Sequence, residues 1–501
     1  MGIIARQAAL NTLLSYVGIG LGFVNVVLLY PKVLAADEFG LTRLMVSIAT
    51  IAAQVAQLGA ENTVIRYYPY FRDPQRNDRG LLGMLLLFGT VVGLLAMLVI
   101  GVFHGLLSEI FSDRNALYDR YGLLVLPLVL SEVYFILLRS YSRSLRRTVQ
   151  PGFIREFVLR ILQTGLILFQ AWKPMPFTWF MALYTCLFLS CTVALAADLF
   201  RAGYFKLGWA ERWLPSRLRR SMITYSGFTL SASIAGIVLG NMDQLMIGAL
   251  LSDGLRYVAH YAVGFYFGSV IAAPGRALGQ VAVPLLADAW KRNDKRMIAD
   301  LYRRSALVQT VISGFLFLLL WACVDDLFLL LPAEYAAASE VAVLIGLAYL
   351  LTSAIGLSAG IISMSRAYHL DAWSSLAMLL VNVVANFFLI RNFGISGAAW
   401  ATLMALTVVN AYRTHFLRKK FGLWPFGMGT TKVAALLIAI GCLMSLVPAM
   451  GGIWMDMILR AVLISVIFWP GVYFLGLVPD LVAMVKNNRS GATSVSEKEV
   501  P

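Results

Sequence analysis

Charged residues are scarce in this sequence. Asp, Glu, Lys and Arg make up 13% of the 501 residues, whereas hydrophobic residues make up 60%. An average soluble protein has about 25% charged residues, so this chain has too few polar side chains to cover a soluble surface. The scarcity excludes a soluble multidomain protein, a disordered chain and a nucleic-acid-binding domain. The net charge of +15 therefore does not indicate nucleic acid as a partner.

Motifs for metal binding, redox chemistry and nucleotide hydrolysis are also missing. The four cysteines lie in or beside apolar runs without a C-x-x-C pair, and we expect them to be small buried hydrophobic side chains. Neither G-x-x-x-x-G-K-[ST] nor H-E-x-x-H occurs. The match to G-x-S-x-G that begins at Gly356 lies inside a predicted helix, where small residues spaced by four favour helix packing. The sequence thus predicts no enzyme, no metal site and no cofactor.

Apolar runs of about 20 residues, in contrast, are abundant. At 1.5 Å per residue, such a run crosses about 30 Å of hydrocarbon. The fold class predicted is therefore an all-α polytopic membrane protein, with short connections punctuated by proline. We predict fourteen transmembrane helices, at residues 8–30, 41–66, 81–103, 121–141, 153–171, 176–199, 222–250, 257–286, 302–323, 338–364, 371–391, 395–412, 432–450 and 456–478.

Lys and Arg residues set the predicted orientation. If the N-terminus is inside, the inward segments hold thirty-two of the 41 Lys and Arg residues and the outward segments hold eight. Loops that face the cytoplasm carry such an excess, so both termini are predicted to be cytoplasmic. The loop after the sixth span alternates apolar and basic residues, which is typical of a helix lying in the headgroup layer.

The chain also contains a weak internal repeat. The stretch that begins at Leu58-Gly59 resembles the one at Leu278-Gly279, 220 residues later, and Pro176 to Trp179 resembles Ser396 to Ala399 at about the same offset. Six helices begin and end on the same side of the membrane. The repeats would thus be related by a pseudo-two-fold axis along the membrane normal, with a central path between them.

Five segments follow from the spans and the repeat. We predict an N-terminal six-helix lobe, a cytoplasmic amphipathic connector, a second six-helix lobe, two additional C-terminal helices and a cytoplasmic tail. Their bounds are 1–200, 201–221, 222–431, 432–480 and 481–501.

Ionisable and amide side chains at membrane depth are the candidate site residues. A charge there costs roughly 2.5–3.5 kcal/mol on insertion scales, so it needs a partner, a cavity or a function. Arg276 and Glu132 lie near the predicted midplane, and Asp243 lies about one-third of the way in from the outer end of the seventh span. All three are predicted to line a cavity.

Two further groups admit two interpretations from the sequence alone. Arg66, Arg139 and Arg160 occupy the inner ends of their helices, where they can either line the cavity or have a merely local role, extending to the headgroups or pairing with neighbours. Asn382 and Asn386, one turn apart, can line the path or bridge helices. Both interpretations stay open at this stage.

Four stretches of the sequence resemble those of a known family. They begin at Leu58-Gly59, Asp243-Gln244, Gly279-Gln280 and Gly394-Ile395-Ser396-Gly397, and the last is the most specific. Across nearly the whole chain, the pattern resembles bacterial polysaccharide flippases of the multidrug/oligosaccharidyl-lipid/polysaccharide exporter superfamily. The resemblance implies two six-helix lobes around a V-shaped cavity with a cationic lining, and two additional C-terminal helices.

The leading hypothesis is a flippase in the bacterial inner membrane. It would move a polyprenyl-diphosphate-linked oligosaccharide to the outer leaflet for polysaccharide or O-antigen (lipopolysaccharide) assembly, by alternating access. Arg276 would bind the diphosphate together with the inner-end arginines, and the acidic and amide residues would contact sugar hydroxyls or a coupling cation. Coupling to Na+ or H+ is left open. The partners implied are the lipid-linked oligosaccharide, the bilayer and other polysaccharide assembly proteins.

Two other functions compete with this hypothesis. A drug/cation antiporter of the same fold would need acidic residues to dominate the cavity, and only Asp243 and Glu132 are obvious candidates. A polytopic glycan polymerase, ligase or glycosyltransferase generally needs a large outer loop or catalytic carboxylates, for which the longest predicted outer loop, at about 104–120, has little room.

The predicted topology can be tested with reporter fusions. A reporter fused after Lys498 should be cytoplasmic, and one inserted near Tyr335 should be outside, because an even number of spans returns the chain to its starting side. Finding both reporters on the same side would contradict the fourteen-helix topology.

Overall fold

The computed structural model describes residues 3–73, 78–111, 116–205, 207–208, 215–448 and 451–477, and every regular element in these ranges is helical. The α-helices are α1 Ile3–Phe23, α2 Tyr30–Val33, α3 Ala36–Ala56, α4 Ala60–Phe71, α5 Leu81–Val102, α6 His104–Phe111, α7 Leu117–Tyr121, α8 Val125–Ser144, α9 Val149–Gly152, α10 Leu159–Trp172, α11 Phe177–Arg201, α12 Ser216–Leu250, α13 Gly254–Ser269, α14 Ala273–Lys291, α15 Lys295–Leu329, α16 Ala338–Ala354, α17 Ser358–Met364, α18 Tyr368–Phe421, α19 Met428–Ser445 and α20 Ile453–Phe474.

The prediction of an all-helical polytopic membrane protein is confirmed. Within the described ranges, nine helices are long and apolar enough to cross a membrane, or ten if the bent pair α16 and α17 forms one span. The count of fourteen stays a prediction, because several predicted spans fall on broken or merged helices. The span at 153–171 is divided between a π-helical segment and α10. The spans at 371–391 and 395–412 are merged in α18, which is kinked at Gly394 (φ 58°, ψ −136°).

Contacts divide the chain into two compact units. The N-terminal unit comprises Leu13–Ala262 and Ile390–Gly394, and the C-terminal unit comprises the rest of the described chain. Helix α12, which the sequence assigned to the second lobe, packs with the N-terminal unit. The lobe bounds 1–200 and 222–431 stay a prediction. The connector is described only in part, and the tail 481–501 lies outside the described residues.

The C-terminal unit has an apolar core between α15, α19 and α20. Val311, Ile440 and Phe468 are among its fully or nearly fully buried members. At one end of this core, the Arg460 guanidinium donates to the backbone oxygen of Ala322 at 2.6 Å and lies 3.3 Å from the Asp326 carboxylate. The last two helices thus pack on α15 through both apolar contacts and an ion pair.

A sharp break separates α3 from α4 in the N-terminal unit. Leu58 and Gly59 both have positive φ, 50° and 78°, a region in which only glycine is unstrained. A Cβ added to Gly59 would lie 2.1 Å from the backbone oxygen of Ser226 in α12. The glycine therefore allows both the turn and the close approach of α12.

Replacing Gly59 should destabilise the N-terminal unit. We expect Gly59→Ala to lower the free energy of unfolding by at least about 2 kcal/mol, since a left-handed alanine costs about 1–2 kcal/mol and the clash adds to this. The measurement is the thermal unfolding midpoint in detergent. Gly20→Ala is the control, because no atom lies within 4 Å of its added Cβ; equal midpoints for the two variants would contradict the packing argument.

Candidate functional site

Charged and aromatic side chains converge on α4, which packs between α8 and α12 in the N-terminal unit. The Glu61 carboxylate accepts a hydrogen bond from Arg139 at 2.8 Å and lies 3.4 Å from the Arg143 guanidinium. The Glu61 side chain is 13% exposed, whereas those of Arg139 and Arg143 are 33% and 48% exposed. One carboxylate is thus shared by two arginines, which leaves a positive charge at this point.

Arg66 lies on the same helix and faces α12. Its guanidinium carbon is 4.2 Å from the ring centroid of Tyr225 and 5.7 Å from that of Tyr67. The side chain is exposed and makes no ion pair with any described residue. Tyr67 in turn hydrogen-bonds Ser221 at 2.8 Å, which fixes the aromatic face below the guanidinium.

We call Glu61, Arg66, Arg139, Arg143 and Tyr225 the α4 cluster. Two of the predicted site residues belong to it: Arg66 contacts Tyr225 of α12, and Arg139 of α8 pairs with Glu61. The turn at Gly59 begins α4 and so determines which side chains face α8 and α12. The cluster offers exposed guanidinium groups for an anion and aromatic rings for a sugar or a cation.

Glu132 is buried and paired rather than free. Its carboxylate forms an ion pair with Arg155, whose guanidinium carbon lies 5.2 Å and 5.0 Å from the ring centroids of Phe135 and Phe188. The Glu132 side chain is 7% exposed. Arg155 lies in a π-helical segment, Phe153–Val158. Both charges of this pair are therefore already satisfied within the N-terminal unit.

A second π-helical segment, Val24–Leu29, packs near Arg160. The buried Asn25 amide donates to the backbone oxygen of Arg160 at 2.9 Å, and the Thr164 hydroxyl donates to Asn25 at 2.7 Å. The Arg160 side chain is half-buried. π-Helical segments often occur at functional sites, and here Asn25 of this segment joins the first predicted span to the fifth.

Asp243 is also buried, at 3% exposure. It accepts a hydrogen bond from the hydroxyl of Tyr261, so α12 and α13 are joined within the N-terminal unit. A buried carboxylate needs such donors, because an unpaired charge in this environment is costly.

The remaining predicted residues lie in the C-terminal unit. Asn382 and Asn386 are fully buried; the Asn386 amide donates to Asn382 at 3.0 Å, and Asn382 donates to Thr402 at 3.2 Å. This ladder bridges the two arms of α18 on either side of Gly394. Arg276 lies in the first turn of α14, is exposed, and makes no ion pair with a described residue.

The comparison with protein families decides where the chain belongs. A model described as "Polysaccharide biosynthesis protein" matches residues 31–332, more than half of the chain. The chain belongs to this polysaccharide biosynthesis family. The resemblance inferred from the four sequence stretches is thereby confirmed.

One curated relative of this chain is described as a probable low-salt glycan biosynthesis flippase, Agl15, of Haloferax volcanii. It is 23% identical over 234 residues, which cover 45% of this chain and 49% of the relative. The chain thus spans about half the length of the curated relative it matches.

Solved structures show which fold the family member has. It is similar to the lipid II flippase MurJ in an inward closed conformation, with a TM-score of 0.74, 11% identity, and coverage of 94% of this chain and 100% of MurJ. The chain is also similar to an inward-facing multidrug resistance MATE transporter of the MOP superfamily, with a TM-score of 0.58, 13% identity, and coverage of 84% of this chain and 98% of the transporter. A Vibrio cholerae MATE transporter is similar with a TM-score of 0.56, 14% identity, and coverage of 83% of this chain and 98% of the transporter. The family member therefore has the MOP fold that these solved structures share.

Sequence reasoning missed Arg155 as a site residue. It lies only a few residues into the predicted fifth span, close to the inner end where basic residues are expected to face the cytoplasm. The available signal was Glu132, since a carboxylate near the membrane midplane requires a partner. Glu61 was missed for a similar reason, because it follows the break at Gly59 and its partners come from another helix.

The buried pair should contribute strongly to the stability of this family member. We expect Glu132→Gln to lower the free energy of unfolding by about 3–5 kcal/mol, because Arg155 would stay buried without a counter-charge. The double replacement of Glu132 by Leu and Arg155 by Met should recover much of that loss. The thermal unfolding midpoint of the purified protein measures both effects.

The matched control for this prediction is an exposed pair. Asp288 and Arg292 lie 2.7 Å apart, with side chains 50% and 71% exposed. Asp288→Asn should cost about 0–1 kcal/mol, as exposed ion pairs do. A midpoint for Glu132→Gln equal to that of Asp288→Asn would show that the buried pair contributes little.

Proposed function

We propose that this chain is a flippase that moves a lipid-linked glycan across the membrane during polysaccharide assembly. The observation that carries the proposal is the family match over residues 31–332. The name of the Haloferax volcanii relative and the MOP fold support it. Exposed arginines on helices of an otherwise apolar chain support an anionic substrate, since uncompensated charges at such positions are retained for a function.

The topology that we propose has fourteen spans with both termini in the cytoplasm. Helical segments occur in the described parts of all fourteen predicted spans, which supports this count. Two six-helix lobes related by a pseudo-two-fold axis along the membrane normal would alternate access to a central cationic path, and α19 and α20 would be the two additional helices.

Arg66 and Arg276 are the residues that we propose contact the diphosphate. Each is exposed and makes no ion pair with a described residue, so its guanidinium fork is open to an anion. Arg139 and Arg160 would add to the positive field around them.

The buried polar residues would act on the same path. The sequence assigns Asp243 and Glu132 to a coupling cation, Na+ or H+, or to sugar hydroxyls, and we propose that such binding requires them to exchange their present contacts with Tyr261 and Arg155. Asn382 and Asn386 would support the bend of α18, as their hydrogen-bond ladder indicates.

The substrate that we propose is a polyprenyl-diphosphate-linked oligosaccharide in the bacterial inner membrane, used for polysaccharide or O-antigen assembly. A diphosphate on a polyprenyl carrier combines an anionic headgroup with an apolar tail. Guanidinium groups on membrane-embedded helices suit such a molecule, because the headgroup can bind in a polar cavity while the tail stays in lipid.

A drug/cation antiporter is the second candidate, favoured by the structural similarity to MATE transporters. Its substrate would need open acidic groups. Glu61 and Glu132 both pair with arginines, and Asp243 accepts a hydrogen bond from Tyr261. These contacts favour the lipid-linked glycan over a cation.

Substituting the two exposed arginines tests the flippase proposal. We expect Arg276→Gln and Arg66→Gln each to reduce export of finished polysaccharide about 10–100-fold, because a hydrogen bond to a charged group contributes about 1.5–3 kcal/mol. Arg276→Lys and Arg66→Lys should retain partial activity, since the charge stays but the planar fork is lost. Surface polysaccharide measured in cells that depend on this chain reports the effect.

Arg217→Gln is the control for these variants, since Arg217 is an exposed arginine at the start of α12. It should leave export unchanged, and membrane levels of all variants should match. Normal export by both Gln variants would remove the two arginines from the mechanism.

A further inference from the structure

The N-terminal unit contains a cavity at the end of α4, beside the α4 cluster, with which it shares Arg143. Its volume is about 590 Å³, within the roughly 300–1,000 Å³ of typical small-molecule sites. The wall is formed by the last turn of α4, the turn after α8 and the chain that follows α11. The polar side chains that line it are Tyr68, Arg72, Asp78, Arg143, Ser144, Arg146 and Tyr204.

The cavity is positively charged. Three arginines and one aspartate line it, which gives a formal net charge of +2. The Asp78 carboxylate already accepts hydrogen bonds from the hydroxyls of Tyr68 at 3.1 Å and Tyr141 at 3.3 Å, and from the backbone N–H of Asp73 at 3.1 Å. Asp78 therefore orients its neighbours, Arg143 is shared with Glu61 at 3.4 Å, and the positive charge of the lining would attract an anion.

Tyr68 keeps its proton under physiological conditions. Burial, and then the neighbouring Asp78, raise the pKa of Tyr68 to about 12. The wall thus contributes a neutral phenol beside the arginines, and no further negative charge develops as the pH rises through neutrality.

Arg146 occupies a strained backbone position at this wall. Helix α8 ends at Ser144, and Arg146 follows with φ 62°, in the left-handed region. Glycine is the usual residue where a helix ends in this conformation, because any side chain there costs free energy. A long cationic side chain at such a position points to a use for the side chain, since strain of this kind clusters at functional sites.

The position of the cavity along the chain places it at a membrane surface. Arg72 follows the second predicted span, Arg143 and Arg146 follow the fourth, and Tyr204 follows the sixth. On the proposed topology, all three of these ends face the cytoplasm. The cavity then lies at the depth of the headgroups of the inner leaflet.

We propose that this cavity binds the phosphate headgroup of a membrane lipid at the cytoplasmic edge of the bilayer. Arginine forks bind phosphate oxygens bidentately, and the Tyr68 hydroxyl is a further polar contact. The shared chemistry is a phosphate ester on a lipid, either the diphosphate of a polyprenyl carrier or the phosphodiester of an ordinary anionic phospholipid. The inference rests on the proposed topology but not on transport.

Binding to the purified full-length chain in non-ionic detergent tests the proposal. The probes are polyprenyl diphosphate, phosphatidylglycerol and, as the zwitterionic reference, phosphatidylcholine. The test variant combines Arg72→Gln with Arg146→Gly, and the control combines Arg217→Gln with Arg219→Gln, two exposed arginines outside the cavity. Both variants lose two positive charges, so a general electrostatic effect weakens binding equally in both.

We expect the test variant to bind one of the two anionic lipids at least tenfold more weakly and the control to bind within twofold of the unmodified chain. If only the binding of polyprenyl diphosphate is weakened, the cavity is assigned to the glycan carrier. If the binding of phosphatidylglycerol is weakened, it is assigned to anionic phospholipid. Arg146→Gly alone should not lower the thermal midpoint, because it relieves the left-handed strain. Equal binding by test and control variants, or equal loss of phosphatidylcholine binding, would overturn the proposal.

Lipid binding and transport can fail separately. Export by the Arg72 and Arg146 variants measures transport, and the detergent assay measures headgroup binding. Unchanged binding with lost export would argue against a headgroup site here while leaving the flippase proposal intact.

Discussion

A charge in hydrocarbon needs a partner or a polar cavity, and this constraint determines most of what the structure contains. The uncharged N–H and C=O groups of the backbone are subject to a similar requirement, and helices meet it because they satisfy their own hydrogen bonds. The constraint on charges accounts for the burial of Glu132 against Arg155 and for the hydrogen bond from Tyr261 to Asp243. It also singles out the exposed arginines, because nothing in the described chain neutralises Arg66 or Arg276. Pairing thus separates structural charges from those open to a ligand.

The helices could be predicted from the sequence because hydrophobic length alone defines a span. The breaks within and between these helices are harder to predict from the sequence. The turn at Gly59 depends on the close approach of Ser226, which lies 167 residues later in the chain. The sequence predicts which ionisable residues lie at membrane depth but not their partners, because Arg155, the partner of Glu132, lies in a π-helical segment that no local pattern encodes. The sequence alone allows Asn382 and Asn386 either to line the path or to bridge helices, and their contacts bridge the two arms of α18.

The distribution of arginines gives the N-terminal unit two chemically different regions. In the α4 cluster, Glu61 offsets part of the charge of Arg139 and Arg143, and aromatic rings lie under Arg66. In the cavity beyond α4, Asp78 is engaged by hydroxyls and a backbone N–H, and Arg143 is shared by both regions. A phosphate bound at the membrane surface would therefore lie one helix length or less from the cluster. This arrangement suits a protein whose substrate arrives within the leaflet rather than from solution.

The most direct measurement is movement of a lipid-linked oligosaccharide in a defined membrane. The purified chain would be reconstituted into vesicles that carry a fluorescent polyprenyl-diphosphate oligosaccharide in both leaflets, and a membrane-impermeant reductant would then quench the outer leaflet. The account predicts that quenching proceeds beyond the roughly half that protein-free vesicles allow, and that Arg276→Gln returns it to that level. Quenching equal to that of protein-free vesicles, together with uptake of an organic cation by the same vesicles, would contradict it.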